Sequence, residues 1–135
     1  MAKEFTNGSS APEPSSDQSS LGPLGIYVDI VYCIDLTADM YPIIDKVKKF
    51  AVTLPQDLQT CYNDYNCPKH IRTRVIGFRD FYCDGIYALE DSEKFFCLPD
   101  EFSEFEAFVN GLEAKGGGDT PESSLEALAL AMQSD

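Results

Sequence analysis

The chain alternates dense apolar runs with longer stretches whose apolar residues recur at helical spacing. "IYVDIVYCI", beginning at Ile26, is β-branched and aromatic with one polar interruption, Asp29. Such a run predicts a central strand buried on both faces. Ile43, Ile44, Val47, Phe50, Ala51 and Leu54 then follow a helical period, with Lys46, Lys48 and Lys49 largely off that face, and they predict a helix from about Tyr41 to Leu58. Pro42 suits its first turn, and Pro55 interrupts it, kinking or ending the helix there. After the polar connection "TCYNDYNCPKH", "IRTRVIGF" predicts a second strand, "YCDGIYALE" carries an Asp-Gly turn signal, and "KFFCL" predicts a short third strand. Phe102, Phe105, Phe108, Val109 and Leu112 share one face of a helix predicted from about Pro99 to Glu113, and they are expected in the core. Glycines stop that helix, and "TPESSLEALALAMQS" supplies a last one with Pro and Glu in its first turn.

Strand, helix, strand, strand, helix, helix is the order of an α/β layer fold with an at least partly parallel sheet. Residues 1–25 are rich in Ser, Pro and Gly and hold few large apolar residues, so they are expected to be a disordered leader or linker. Residues 26–135 then form one domain, which is what 135 residues allow.

Charge narrows the partners. The formal net charge is −13, from 23 acids against 10 bases. Phosphate binding needs a basic footprint, so nucleic acid is excluded as a partner, and anionic membrane surfaces with it. A cation site is compatible with that charge. No apolar run is long enough to span a bilayer and no signal core precedes the domain, so a cytoplasmic location is expected. Cysteines stand at 33, 61, 67, 83 and 97, none with CxxC spacing. Cys61 and Cys67 bracket a small loop suited to a disulfide, but without a secretory signal free thiols are favoured. His70 stands alone beside a strand start, where a surface role is expected.

The candidate chemistry lies in two loops. In open α/β sheets, sites form beyond the carboxyl ends of the strands. Asp35 ends the first strand, with Thr37 and Asp39 following at alternate positions. "GGGDTPES" is the second loop, where glycines permit close backbone approach and Asp119, Thr120, Glu122 and Ser123 offer oxygens. Two oxygen-rich loops at one sheet edge suit a hard cation such as Mg²⁺. Plainer roles compete at three places. Asp39 also suits a cap of the first helix, Asp119 and Glu122 also fit a capping box, and Arg79–Asp80 reads as an ordinary ion pair before it reads as a site rim.

"DIVYCIDLTADM" before an amphipathic helix, then "RTRVIGFRDF", then "GGGDTPESSLEALALA" resemble the von Willebrand factor type A (VWA) domain, closest to its bacterial-type members. The "D-PE" loop is also similar to that of the I-like domain of integrin β subunits. The resemblance runs from about residue 26 to 135. It implies a Rossmann-like, three-layer fold with a mostly parallel sheet and helices on both faces. It also implies a metal-ion-dependent adhesion site (MIDAS) holding Mg²⁺, or Ca²⁺ or Mn²⁺, and a protein partner. The family's loop is Asp-x-Ser-x-Ser. Asp35 matches its aspartate and Thr37 its first serine, while Asp39 replaces the second serine. Glu122 matches the acidic ligand of the integrin β type, and Asp119 a neighbour that serves an adjacent cation there.

The replacement has a physical consequence. Neutral hydroxyls leave a bound cation under-neutralised and attractive to a partner's acid. Asp35, Asp39 and Glu122 around one divalent ion would hold it well and attract a partner carboxylate poorly. The family's strand order is 3-2-1-4-5-6, and residues 26–135 supply only the first three strands. The N-terminal half of such a domain is therefore expected, with an open apolar edge on the first strand that another chain can pair with. No nucleophile–base constellation is apparent, so a non-enzymatic interaction module is expected. The rivals are a haloacid-dehalogenase-like phosphoryl-transfer enzyme with Asp35 as nucleophile and a metal-free scaffold.

Overall fold

A computed structural model describes residues 25–61, 68–118 and 123–135. The expected leader, apart from residue 25, lies outside these residues, as do Cys67, Asp119 and Glu122, and nothing of the Cys61 side chain is described. The elements in order are β1 (Ile26–Asp35), α1 (Ile44–Cys61), β2 (Pro68–Phe78), α2 (Phe81–Asp84), β3 (Leu89–Asp91), β4 (Phe96–Leu98), α3 (Phe102–Gly111) and α4 (Ser124–Met132). Short 3-10 turns cover Ala38–Met40 and Gly85–Tyr87.

The fold is mixed α/β, as expected, but the sheet is mixed and not mostly parallel. β1 runs parallel to β2, with Asp35 opposite Phe78 at the end of the ladder. β3 and β4 both pair antiparallel with β2. The reason is the connection: a parallel neighbour needs a crossover of a dozen or more residues, which α1 supplies, whereas β2 reaches β3 through the short segment 79–88. β3 and β4 together behave as one interrupted strand. Ile76 faces Asp91 and Thr73 faces Phe96, so residues 92–95 oppose only Arg74 and Val75. This is a bulge. Ser92 spans it, donating its N–H to the Val75 carbonyl at 2.9 Å and accepting the Val75 N–H on its hydroxyl at 3.1 Å. Glu93 sits within it at φ 60°.

Helices cover both faces. Val28, Ile30, Tyr32 and Ile34 of β1 alternate toward one face, where Ile71 and Val75 of β2 meet Ala51 of α1 and Phe105 and Val109 of α3. Tyr32, Phe96 and Phe102 ring Phe105 with centroids 6.0–6.2 Å away. Burial pushes the Tyr32 phenol up to about 12. On the other face Ile76 and Phe78 pack with Ala127, Leu130 and Ala131 of α4. The Cys33 thiol donates to the Ala127 carbonyl at 3.7 Å.

Three local expectations are corrected. β1 is not central and buried throughout: among the described residues it pairs only with β2, and Ile26 and Tyr27 are exposed. α4 covers only its later half on that face. Of the two outcomes expected at Pro55, a kink or an end, the end does not occur. The helix continues to Cys61 with the proline ring buried, and that packing offsets the one backbone bond proline cannot make. Helix α1 also starts later than expected, at Ile44 beyond Pro42. The phenylalanines of α3 do lie in the core or against it, and His70 is exposed, stacked on Tyr27 at 4.6 Å.

Candidate functional site

The carboxyl ends of β1 and β2 point the same way, and three loops gather there. The loop after β1 is held from below by Leu36, fully buried, whose N–H donates to the Phe78 carbonyl at 2.8 Å. It is held from the side by the α3–α4 connection. Lys115 N–H donates to the Leu36 carbonyl at 2.9 Å, and Ala38 N–H donates to the Gly116 carbonyl at 3.0 Å. Asp35 turns back on its own loop and accepts the Thr37 N–H on Oδ1 at 2.8 Å. Thr37 is buried, with the backbone of Gly117 against it. A Cβ on Gly117 would sit 2.9 Å from the Thr37 Cβ, and Gly117 adopts φ +82°, so both space and backbone require glycine there.

The structure therefore brings Thr37 to the triglycine loop, with the Asp35 carboxylate bonded to the Thr37 N–H. Asp39 sits exposed in the 3-10 turn Ala38–Met40 and does not cap α1, which begins at Ile44. Asp119 and Glu122 lie outside the described residues, and their capping box with them. Ser123 occupies the N-cap position of α4 without a side-chain cap bond, and its hydroxyl instead accepts the Phe81 N–H at 3.0 Å.

The third loop contains Asp80, read from the sequence as an ion-pair or rim residue, and Asp84, read only as part of a turn signal. Asp80 is buried and caps α2 through Oδ1, which accepts the Tyr82 N–H at 2.8 Å. Its Oδ2 faces Gly118, where a Cβ would lie 3.1 Å away. Asp84 Oδ2 accepts the N–H of Gly117 at 2.8 Å and of Asp80 at 3.1 Å. The Asp-x-x-x-Asp spacing followed by Gly85 was the available signal for a capped turn. What it did not reveal was the contact with a glycine 33 positions away.

Arg79 is the hub, and it corrects the expected Arg79–Asp80 pair. The side chain is 1% exposed. It donates to the carbonyls of Lys115 (2.9 Å), Tyr87 (2.9 Å) and Glu113 (2.7 Å), and to Glu90 Oε1 at 2.6 Å. A buried cation is tolerable only when partners surround it, and here the fork of the guanidinium joins the α3–α4 connection to the β2–β3 segment.

Asp35 and Thr37 offer oxygen donors suited to a hard cation, and the Thr37 hydroxyl has no hydrogen-bond partner among the described residues. Among those residues no three His, Cys, Asp or Glu side chains lie together closely enough to hold a metal ion. No helix among the described residues is long and apolar enough to cross a membrane. Cys33 and Cys97 are free thiols. Comparison with models of known families and with curated proteins finds no match.

Proposed function

We propose that this domain is a divalent-cation-dependent protein-interaction module of the VWA type, with an altered MIDAS-like site and no enzymatic activity. One observation carries this reading: the loop after β1 and the triglycine loop meet at the carboxyl end of the parallel pair, with Thr37 against Gly117 and Asp35 bonded to the Thr37 N–H. The strand order supports it as well. β2 lies between β1 and the interrupted β3–β4 strand, which agrees with strands 1, 2 and 3 of a 3-2-1-4-5-6 sheet. Helices on both faces agree with a three-layer, Rossmann-like arrangement.

Asp35 and Thr37 would hold Mg²⁺, with Asp39, Asp119 and Glu122 supplying further acidic oxygens. Bound there, the cation supplies a positive charge that the surrounding carboxylates largely neutralise. The chain's own residues then act by fixing the loops. The Thr37 N–H orients the Asp35 carboxylate, Gly117 admits Thr37, and Arg79 locks the connection that carries Gly116–Gly118. A site this acidic organises a binding surface and captures an acidic partner group poorly.

Calorimetric titration of the intact chain with Mg²⁺ and with Ca²⁺ tests the reading. Saturable binding is expected for the wild type, with affinity reduced at least about tenfold in Asp35→Ala, since a hard-cation site loses one of few charged ligands. A folded domain that takes up neither ion would leave a metal-free scaffold in its place.

A further inference from the structure

The segment between β2 and β3 shows a mismatch between how firmly it is held and how little it buries. Residues 81–87 read FYCDGIY. Tyr82 is 93% exposed, Ile86 87%, Tyr87 70% and Phe81 42%. A segment whose large side chains face water gains little from packing, and such segments are ordinarily drawn from the loosely held end of a structure. Here the backbone is tied at several points. Asp80 Oδ1 accepts the Tyr82 N–H, the Asp80 carbonyl accepts the Asp84 N–H at 2.7 Å, and Ser123 Oγ accepts the Phe81 N–H. The Tyr87 carbonyl takes one arm of the buried Arg79. Gly85, at φ +56°, makes the turn in between. The scaffold is thus rigid and polar behind, aromatic and aliphatic in front. Large side chains on a fixed backbone lose little entropy on binding, which is the property of an interface anchor.

We propose that the 81–87 turn is the anchor through which this domain engages a protein partner, and that the partner presents an apolar cleft rimmed by lysine and arginine. The proposal rests on the interaction-module reading above and names the partner's chemistry. Charge complementarity fixes the rim. The turn contains the half-buried Asp84 and no base. The nearest base along the chain, Arg79, is buried and committed. The chain as a whole carries 23 acids against 10 bases. An acidic rim would be repelled and a basic one drawn in.

The outward stripe Leu125, Leu128 and Met132 of α4 is also exposed. It serves as the internal control, because it is apolar without the polar scaffold behind it.

The probe is a fluorescent amphipathic helical peptide of leucine and lysine, which offers an apolar face flanked by bases. A leucine–glutamate peptide of the same length is its counterpart. Anisotropy titrations use the whole chain, with Mg²⁺ and with chelator. The expected result is saturable one-to-one binding of the lysine peptide, none of the glutamate peptide, and amide-exchange protection over 80–88. The double variant Tyr82→Ser/Ile86→Ser keeps the net charge and changes only exposed side chains. It is expected to bind at least about tenfold more weakly, as loss of an anchor pair does, while Leu128→Ser binds as wild type. Thermal melts confirm that both variants fold.

No binding of the lysine peptide overturns the proposal. So does equal binding by the double variant, which would mean attraction by charge alone, or an equal loss in Leu128→Ser, which would mean general apolar adhesion. Binding that depends on Tyr82 and Ile86 but ignores the chelator upholds the anchor while removing the cation dependence proposed above. Cation uptake with a peptide indifferent to the turn does the reverse.

Discussion

The two faces of the sheet are finished by different means. On one, Phe96, Phe105 and Val109 close a core with Ile34, Ile71 and Val75, and α1 and α3 lie over it. On the other, the buried apolar cluster among the described residues is Ile76, Phe78 and Ala127. Ties between polar groups complete that side. Arg74 binds Asp91 through two bonds (2.6 and 3.1 Å) and the Ser134 hydroxyl at 2.9 Å, and Arg72 grips Asp29 where α4 no longer reaches. Apolar area removed from water dominates folding free energy, while the exposed Arg72–Asp29 pair contributes little. The comparison therefore assigns most of the stability to the α1–α3 face and makes α4 the element that detaches first.

The sharpest way to break this asymmetry is a pair of truncations. Phe105→Ala is expected to cost about 4 kcal/mol and Leu130→Ala about 1–2 kcal/mol in chemical denaturation, since the first removes a fully enclosed ring and the second a half-covered side chain. Equal losses would show that both faces carry the fold. Next in size is Arg79→Met. It strands three carbonyls and the Glu90 carboxylate, at about 3 kcal/mol. Amide exchange should accelerate over 113–118, the connection that passes from one face to the other, before it does in α1 or α3. Unchanged exchange there would remove Arg79 as the tie between the faces.

The smallest effect is in acid. The Arg72 guanidinium beside Asp29 holds its carboxyl below the usual value of 3.8. A depressed carboxylate contributes stability that is complete above its unfolded pKa and vanishes as pH falls through the lower folded value. Both side chains are more than 40% exposed, so solvent screening limits the contribution to about 0.5 kcal/mol. Below about pH 4 the wild type is expected to lose this increment and Arg72→Gln to have none to lose, as pH-dependent melts would show.

Much of the element order was legible because periodicity reports burial directly. Phe102, Phe105 and Phe108 at helical spacing found their core, and Asp35 ended its strand as the apolar run implied. What misled was local chemistry overruled by tertiary context. Pro55 looked like a kink or an end of the helix, but the helix runs on past it and its ring found a buried seat. The apolar run of β1 looked buried throughout, yet its first residues, Ile26 and Tyr27, meet water. Arg79 and Asp80, adjacent in sequence, looked like partners. Adjacent residues on an extended backbone point apart, so Arg79 turned inward to Glu90 and three carbonyls while Asp80 capped the next turn. Of the expected ligands, Thr37 meets the glycine loop and Asp35 holds the Thr37 N–H. The participation of Asp84 could not be foreseen, because it binds a backbone N–H and no side-chain pattern marks that acceptor.

The four residues set against two at positions 92–95 govern how copies of this chain could stack. An incoming strand needs an unbroken row of hydrogen-bonding groups, and on that margin of the sheet the row is cut and bent. The margin along β1 has ten residues and no such break beyond Tyr27. Growth by strand addition needs two competent margins, and among the described residues the β3–β4 margin is interrupted. Copies that met through β1 would find no matching row on that far side to continue the stack.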